Sequence, residues 1–251
     1  MAGKEIRLRR LFRRTRLFIV PMDHGLTMGP LPGLQDVQAT IEAVVKGGVD
    51  AVVVHKGLAD RMAASWPAGC ELIVHLSGST ALAPDPNRKE LVATVEEAIR
   101  LGATAVSVHV NLGARMEAEM LKDLGLAAEA CDRWGMPLLA MMYVRDGSAA
   151  GEYDPAKIKH AARVAEEIGA DIVKVNYTGA PESFAEVVAG VRTPVIIAGG
   201  PRMDSVRELL EMVAGAVRAG ASGVAIGRNV FQAADPAALA AEIRRILDGA
   251  A

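Results

Sequence analysis

The chain has 251 residues, 51% of them hydrophobic and 23% charged, so it carries ample apolar surface for a core and is not intrinsically disordered. Its 28 basic and 30 acidic side chains leave a formal charge of −2, which excludes the global positive field that would hold nucleic acid or an anionic membrane. Cys70 and Cys131 are too few for a disulfide framework and lack the spacing of a structural zinc site, as expected of a protein of the reducing cytoplasm.

The chain opens on a basic segment with Arg7, Arg9, Arg10, Arg13, Arg14 and Arg16, and the apolar run at 17–20 is far too short for a signal-peptide core or a membrane span. Leu8, Leu11 and Phe12 instead mark the buried stripe of a short amphipathic helix that closes one end of the fold. Eight apolar runs follow, at 18–22, 51–55, 71–76, 103–110, 137–142, 171–175, 194–198 and 223–226. Segments of helical period separate them, among them 90–101, 116–134, 155–168, 205–219 and 236–247, while 58–69 leaves room only for a stunted helix. The runs are apolar almost throughout rather than alternating, as parallel strands covered on both faces are. No Gly-x-Gly-x-x-Gly follows the first run, so the pattern predicts an α/β fold, one (β/α)8 TIM barrel over 1–251 with a short N-terminal helix, rather than an open dinucleotide-binding sheet.

Barrel enzymes place their chemistry on the loops after the strands. Those positions here hold Asp23-His24-Gly25, His55-Lys56-Gly57, His75 with Ser77-Gly78-Ser79-Thr80, His109 with Asn111, Tyr143 with Arg145, Lys174 with Asn176, Gly199-Gly200-Pro201 and Gly227-Arg228-Asn229. Lys174 sits inside the apolar run Asp171-Ile172-Val173-Lys174-Val175, where an ammonium must be desolvated or paired. Desolvation favours the neutral amine that attacks a carbonyl to form a Schiff base; a structural ion pair or a phosphate-binding lysine is the other reading. Lys56 is the rival nucleophile. Tyr143 and Asp23 are the acid/base candidates, against a rim tyrosine and a turn-capping aspartate.

Gly199, Gly200, Gly227 and Arg228 follow the last two strands, where backbone N–H groups and an arginine cradle phosphate in many barrels. His24, Lys56, Ser77 and Arg145 are further candidates for substrate contact, Ser77 equally for a plain turn. His24, His55, His75 and His109 end consecutive strands and keep a metal-dependent lyase open, although no carboxylate cluster accompanies them and neutral hydrogen bonding to a polyol suits them as well.

The segments Val20-Pro21-Met22-Asp23-His24-Gly25, Val54-His55-Lys56-Gly57, His75-Leu76-Ser77-Gly78, Met141-Met142-Tyr143, Val173-Lys174, Ala198-Gly199-Gly200-Pro201 and Gly227-Arg228-Asn229 closely resemble the archaeal-type class I (Schiff-base) aldolases. Within them they look most like the 2-amino-3,7-dideoxy-D-threo-hept-6-ulosonate synthases. The resemblance implies a metal-free, cofactor-free enzyme with a Schiff-base lysine matching Lys174, a tyrosine acid/base matching Tyr143 and an aspartate matching Asp23. It implies sugar-phosphate and aldehyde substrates: a three-carbon enamine from a ketose phosphate or dihydroxyacetone phosphate, added to L-aspartate 4-semialdehyde to give a seven-carbon amino product. It also implies a homo-oligomer, often a decamer. Fructose-bisphosphate cleavage and a non-catalytic sugar-phosphate binding barrel are the alternatives. Tyr143-Val144-Arg145-Asp146-Gly147 departs from the family's Tyr-Pro-Arg-Gly, and Val175-Asn176 from its small hydroxyl residues, at positions that bear on donor choice.

Overall fold

The structure, a computed structural model, describes residues 2–249. Eight strands alternate with helices: β1 Leu17–Pro21, β2 Ala51–Val54, β3 Glu71–His75, β4 Ala105–Leu112, β5 Leu138–Val144, β6 Ile172–Val175, β7 Val195–Ala198 and β8 Gly223–Ala225. Each pairs in parallel with the next, and β8 returns to β1 through Leu17 opposite Gly223, so the sheet closes into a TIM barrel as the apolar runs predict. Gly223 is obligatory at that seam, because a Cβ there would lie 2.1 Å from the Leu17 carbonyl oxygen.

The helices are α1 Ala2–Leu11, α2 His24–Met28, α3 Val37–Lys46, α4 Lys56–Met62, α5 Val95–Arg100, α6 Glu117–Trp134, α7 Pro155–Ile168, α8 Pro181–Ala189, α9 Val206–Arg218, α10 Arg228–Phe231 and α11 Pro236–Leu247. Asp154 and Asp235, each followed by proline, accept the N–H groups of Lys157 and Ala238 and so set where α7 and α11 start. The second unit is stunted as expected, with seven residues of α4 and then one 3-10 turn, Ala63–Ser65.

The helical reading of 90–101 is corrected in its first third. Glu90–Leu91 instead pairs antiparallel with Ser77–Gly78, and Leu76 O accepts the N–H groups of Val92 and Ala93. The helix begins only where the Thr94 side chain accepts Glu97 N–H. Leu91 sits at helical spacing from Val95 and Ala98, so apolar period alone does not separate the clasp from the helix.

Strand parity divides the apolar residues into two layers. Phe18, Val20, Val52, Val54, Val74 and Val106 face outward into the layer beneath the helices. Leu17, Ile19, Ala51, Val53, Ile73, Ala105, Leu139, Met141, Ile172, Ile196 and Ala225 fill the barrel. Leu11 is fully buried at the base of this inner core, with Leu8 and Phe12 packed beside it, so α1 plugs the barrel floor. Its basic neighbours fasten the plug: Lys4 pairs with Asp171 at 3.1 Å, and Arg7 and Arg16 donate to the carbonyls of Gly135 and Leu247.

Asp50 is completely buried at the same end. Its Oδ2 accepts Phe18 N–H at 2.9 Å and Arg244 Nη1 at 3.0 Å, and Arg13 Nε lies 3.4 Å from Oδ1. Burial pushes its pKa up, while the Phe18 N–H and the arginines pull it back. Asp50→Ala would remove the buried partner of Arg244 and leave it the more exposed Asp248, at 2.8 Å, and Arg16 O; we expect it to cost about 3 kcal/mol of stability in urea unfolding, the low end for breaking a buried pair, and a loss below about 1 kcal/mol would show that the pair does not fasten the floor.

Candidate active site

A cavity opens at the C-terminal ends of the strands, and nine of the eleven candidate residues line it: Asp23, His24, Tyr143, Arg145, Lys174, Gly199, Gly200, Gly227 and Arg228. Parity and register bring them together. Met141 on β5 is the partner of Lys174 on β6, and both face inward. Tyr143, two residues on, shares that face one layer nearer the mouth. Lys174 is 6% exposed, so it ends the apolar interior and begins the polar layer.

Asp23 follows β1 as the cap residue of α2. Its carboxylate lies 3.6 Å from His24 Nδ1 and 3.7 Å from His75 Nε2. Burial opposes its charge, but His75, His24, Lys174 and His55 around it outweigh that cost and hold the carboxyl well below the ordinary range. The imidazoles respond oppositely. Burial drives His75 down to about 4 despite Asp23, and lowers His24, His55 and His109 as well. At neutral pH Asp23 is therefore a carboxylate among neutral imidazoles. Among the described residues no group of three or more His, Cys, Asp or Glu side chains is arranged to hold a metal ion.

The histidine rings are fixed from behind. His75 Nδ1 lies 2.8 Å from Ser107 Oγ, and His109 Nε2 lies 2.8 Å from Asn111 Oδ1. Asn111 Nδ2 donates to Asn87 O, which leaves its Oδ1 to accept, so His109 carries its proton on Nε2. The His109 ring tilts against Tyr143 at 4.8 Å, and the Arg145 guanidinium lies 5.4 Å over the other partner of that ring contact, Tyr143 itself. Arg145 is ion-paired with Glu152, so it positions the tyrosine while its charge is already balanced.

The last two loops form a cradle. Gly200 adopts φ +66°, which favours glycine, and a Cβ on Gly227 would lie 2.7 Å from His24 Cε1 and from Pro21 O. Asn229 locks the two loops together, donating to Gly199 O and Pro201 O at 2.9 Å each and accepting Met203 N–H at 2.7 Å. Arg228 donates from Nη2 to Gly200 O at 3.0 Å, while its buried Nε has no hydrogen-bond partner among the described residues.

Lys56 and Ser77 lie outside the cavity. Lys56, at the start of α4, points to the outer groove beside α5, where its Nζ pairs with Glu97 at 3.2 Å. Ser77 is buried beneath the mouth and its Oγ accepts His109 N–H at 2.9 Å. The cavity also takes Thr27, Lys89, Glu152 and Tyr153, which sequence reasoning missed. Lys89 sits in the long loop after β3 and Glu152 and Tyr153 in the loop after β5, where no strand register fixes direction. The one available signal was the basic pair Arg88-Lys89 in a proline-containing loop.

Residues 17–233 match the DeoC/LacD family aldolase pattern. A 2-amino-4,5-dihydroxy-6-oxo-7-(phosphonooxy)heptanoate synthase of Streptomyces griseus is 46% identical over 98% of this chain and 90% of its own. A 2-amino-3,7-dideoxy-D-threo-hept-6-ulosonate synthase of Archaeoglobus fulgidus is 47% identical over 99% of this chain and 92% of its own. An archaeal fructose-1,6-bisphosphate aldolase, solved with its catalytic lysine bound to a carbinolamine intermediate, superposes with a TM-score of 0.91 at 31% identity, covering 98% of this chain and all of the other. With its closed barrel and these full-length relatives, the chain belongs to the DeoC/LacD aldolase family and is an enzyme of the class I aldolase type.

Proposed function

We propose that this enzyme joins a three-carbon enamine, drawn from dihydroxyacetone phosphate or a ketose phosphate, to L-aspartate 4-semialdehyde, with Lys174 as the covalent residue and no metal or cofactor. The observation that carries the reading is the inward Lys174 at the floor of the polar layer, with Tyr143 on the adjacent strand and the same face. The synthases at 46–47% identity support the acceptor, since each is named for a 2-amino seven-carbon keto acid.

The Lys174 amine adds to the donor ketone, and the carbinolamine hydroxyl leaves as water on a proton from the Tyr143 phenol, which gives the iminium and a phenolate that can act as base in the next step. With dihydroxyacetone phosphate, Tyr143 takes the adjacent carbon-bound proton; with a ketose phosphate, it takes the hydroxyl proton as the carbon–carbon bond breaks. Either route leaves the enamine, with the iminium as electron sink. The enamine carbon then attacks the acceptor aldehyde, Tyr143 returns the proton to the new alkoxide, and water releases the product. Asp23, charged and flanked by neutral imidazoles, orients hydroxyl groups and balances the iminium. The donor phosphate lies on Gly199, Gly200, Gly227 and Arg228; the partnerless Arg228 Nε supports this. Homo-oligomeric assembly and residence in a reducing compartment complete the reading, and the buried, unbonded Cys70 and Cys131 accord with the latter.

Borohydride with dihydroxyacetone phosphate is expected to leave a stable adduct on the peptide holding Lys174, with or without chelator, and Lys174→Met is expected to abolish it. An adduct that persists in Lys174→Met would move the nucleophile elsewhere. Tyr143→Phe is expected to lower kcat by about 10²–10⁴-fold, and a change below about tenfold would remove the phenol from proton transfer.

The neutral imidazoles also set a pH dependence. Between the ordinary histidine value of 6.5 and about 4 for His75, the unfolded chain takes up protons that the folded site refuses. Stability should therefore fall as pH drops through that window, with His24, His55 and His109 adding in the same direction. His75→Gln should make the fall shallower in urea titrations, and an unchanged slope would show that His75 is not a source of it.

A further inference from the structure

Two basic side chains outside the Arg145–Glu152 pair flank the cavity mouth from opposite sides. One is Arg228, in the cradle on the loops after β7 and β8. The other lies on the loop after β3, which the closed ring sets directly opposite β7. It is Lys89, which comes just before Glu90–Leu91 of the two-stranded clasp. The clasp is well anchored. Its neighbour Arg88 points away from the mouth, pairing with Glu90 at 2.6 Å and with Asp123 of α6 at 3.4 Å, and Asn87 O holds the loop to Asn111 of β4.

The carboxylates of this rim are otherwise spent. Glu90 and Asp123 serve Arg88, and Glu152 serves Arg145. Lys89 takes part in no salt bridge among the described residues; its Nζ donates to Ser79 Oγ at 2.6 Å while the side chain lines the cavity. Burial lowers its pKa, Asp23 offsets this in part, and Arg145 adds to it. A substrate anion entering the cavity would therefore meet in Lys89 a half-buried ammonium whose near partner is a hydroxyl and not a carboxylate.

We propose that Lys89 binds the carboxylate of the acceptor aldehyde, across the barrel mouth from the phosphate cradle. The inference rests on the aldol addition argued above. It divides the cavity by charge: phosphate on the β7–β8 side beside Lys174, carboxylate on the β3 side, and the new bond forming between them near Tyr143. An aldehyde without an anionic end would enter the same space with nothing to orient it.

The test compares kcat/KM for aspartate 4-semialdehyde and for butanal, a neutral aldehyde of equal chain length, with dihydroxyacetone phosphate as donor. The wild-type enzyme should prefer the charged aldehyde. Lys89→Met should cut that preference by about 10- to 100-fold, the range of a hydrogen bond to a charged group, chiefly through KM, and Lys89→Arg should restore much of it. A wild type indifferent to the carboxylate, or a preference that survives Lys89→Met, overturns the assignment. If Lys89→Met instead weakens use of glyceraldehyde 3-phosphate alone, the rim is a second phosphate site and the carboxylate assignment is overturned. Borohydride trapping at Lys174 keeps the two levels apart. An enzyme that traps donor yet shows no carboxylate preference has lost only the subsite, whereas one that traps nothing, or traps donor and adds it to no aldehyde, has lost the reaction as well.

Discussion

Strand parity is the constraint on which this site depends. In a closed parallel barrel every second residue faces inward, so a lysine at one end of β6 must either join the apolar interior or cap it. Lys174 caps it. Because Met141 is its register partner, parity also brings Tyr143 to the same face, and no loop conformation is needed to align the two. A one-residue slip of β5 against β6 would turn Tyr143 into the layer under the helices, where its hydroxyl would meet only apolar atoms.

The second organising feature is charge economy. One carboxylate, Asp23, stands among four histidines that burial keeps neutral, and the other carboxylate of the cavity, Glu152, is committed to Arg145. In the proposed reading, negative charge on a substrate would be met by cations at the rim, Arg228 on one side and Lys89 on the other, while reacting carbons would meet a layer of neutral donors and acceptors. Such a layout favours substrates anionic at both ends and reactive in the middle.

Much of this was legible in the sequence because strand residues announce their direction. The apolar runs predicted all eight strands, and counting to their ends gave Asp23, His24, Tyr143, Lys174 and the two glycine loops. Lys56 and Ser77 show where counting stops. His55-Lys56-Gly57 lies beyond β2, where α4 starts at once and turns the lysine outward to Glu97. Ser77 enters the short clasp and goes under the mouth to His109. Lys89 and Glu152 were invisible for the converse reason: long loops carry no period, and only their tethers to distant residues, such as Asn87 to Asn111 and Arg88 to Asp123, aim them.

The Asp50 cluster at the barrel floor has a consequence for synthesis. Asp50, made early, waits for Arg244 near the end of the described chain, and β1 waits equally for β8. During translation β1 therefore has one open edge, and Asp50 has only the half-exposed Arg13 and Arg14 beside it and not its buried partner, until nearly the whole barrel has left the ribosome. Half-made chains expose a strand edge that can pair with a neighbour's, so this protein needs either rapid elongation or protection of its N-terminal half while it is being made. The guanidinium of Arg244 serves as the latch that ends this interval.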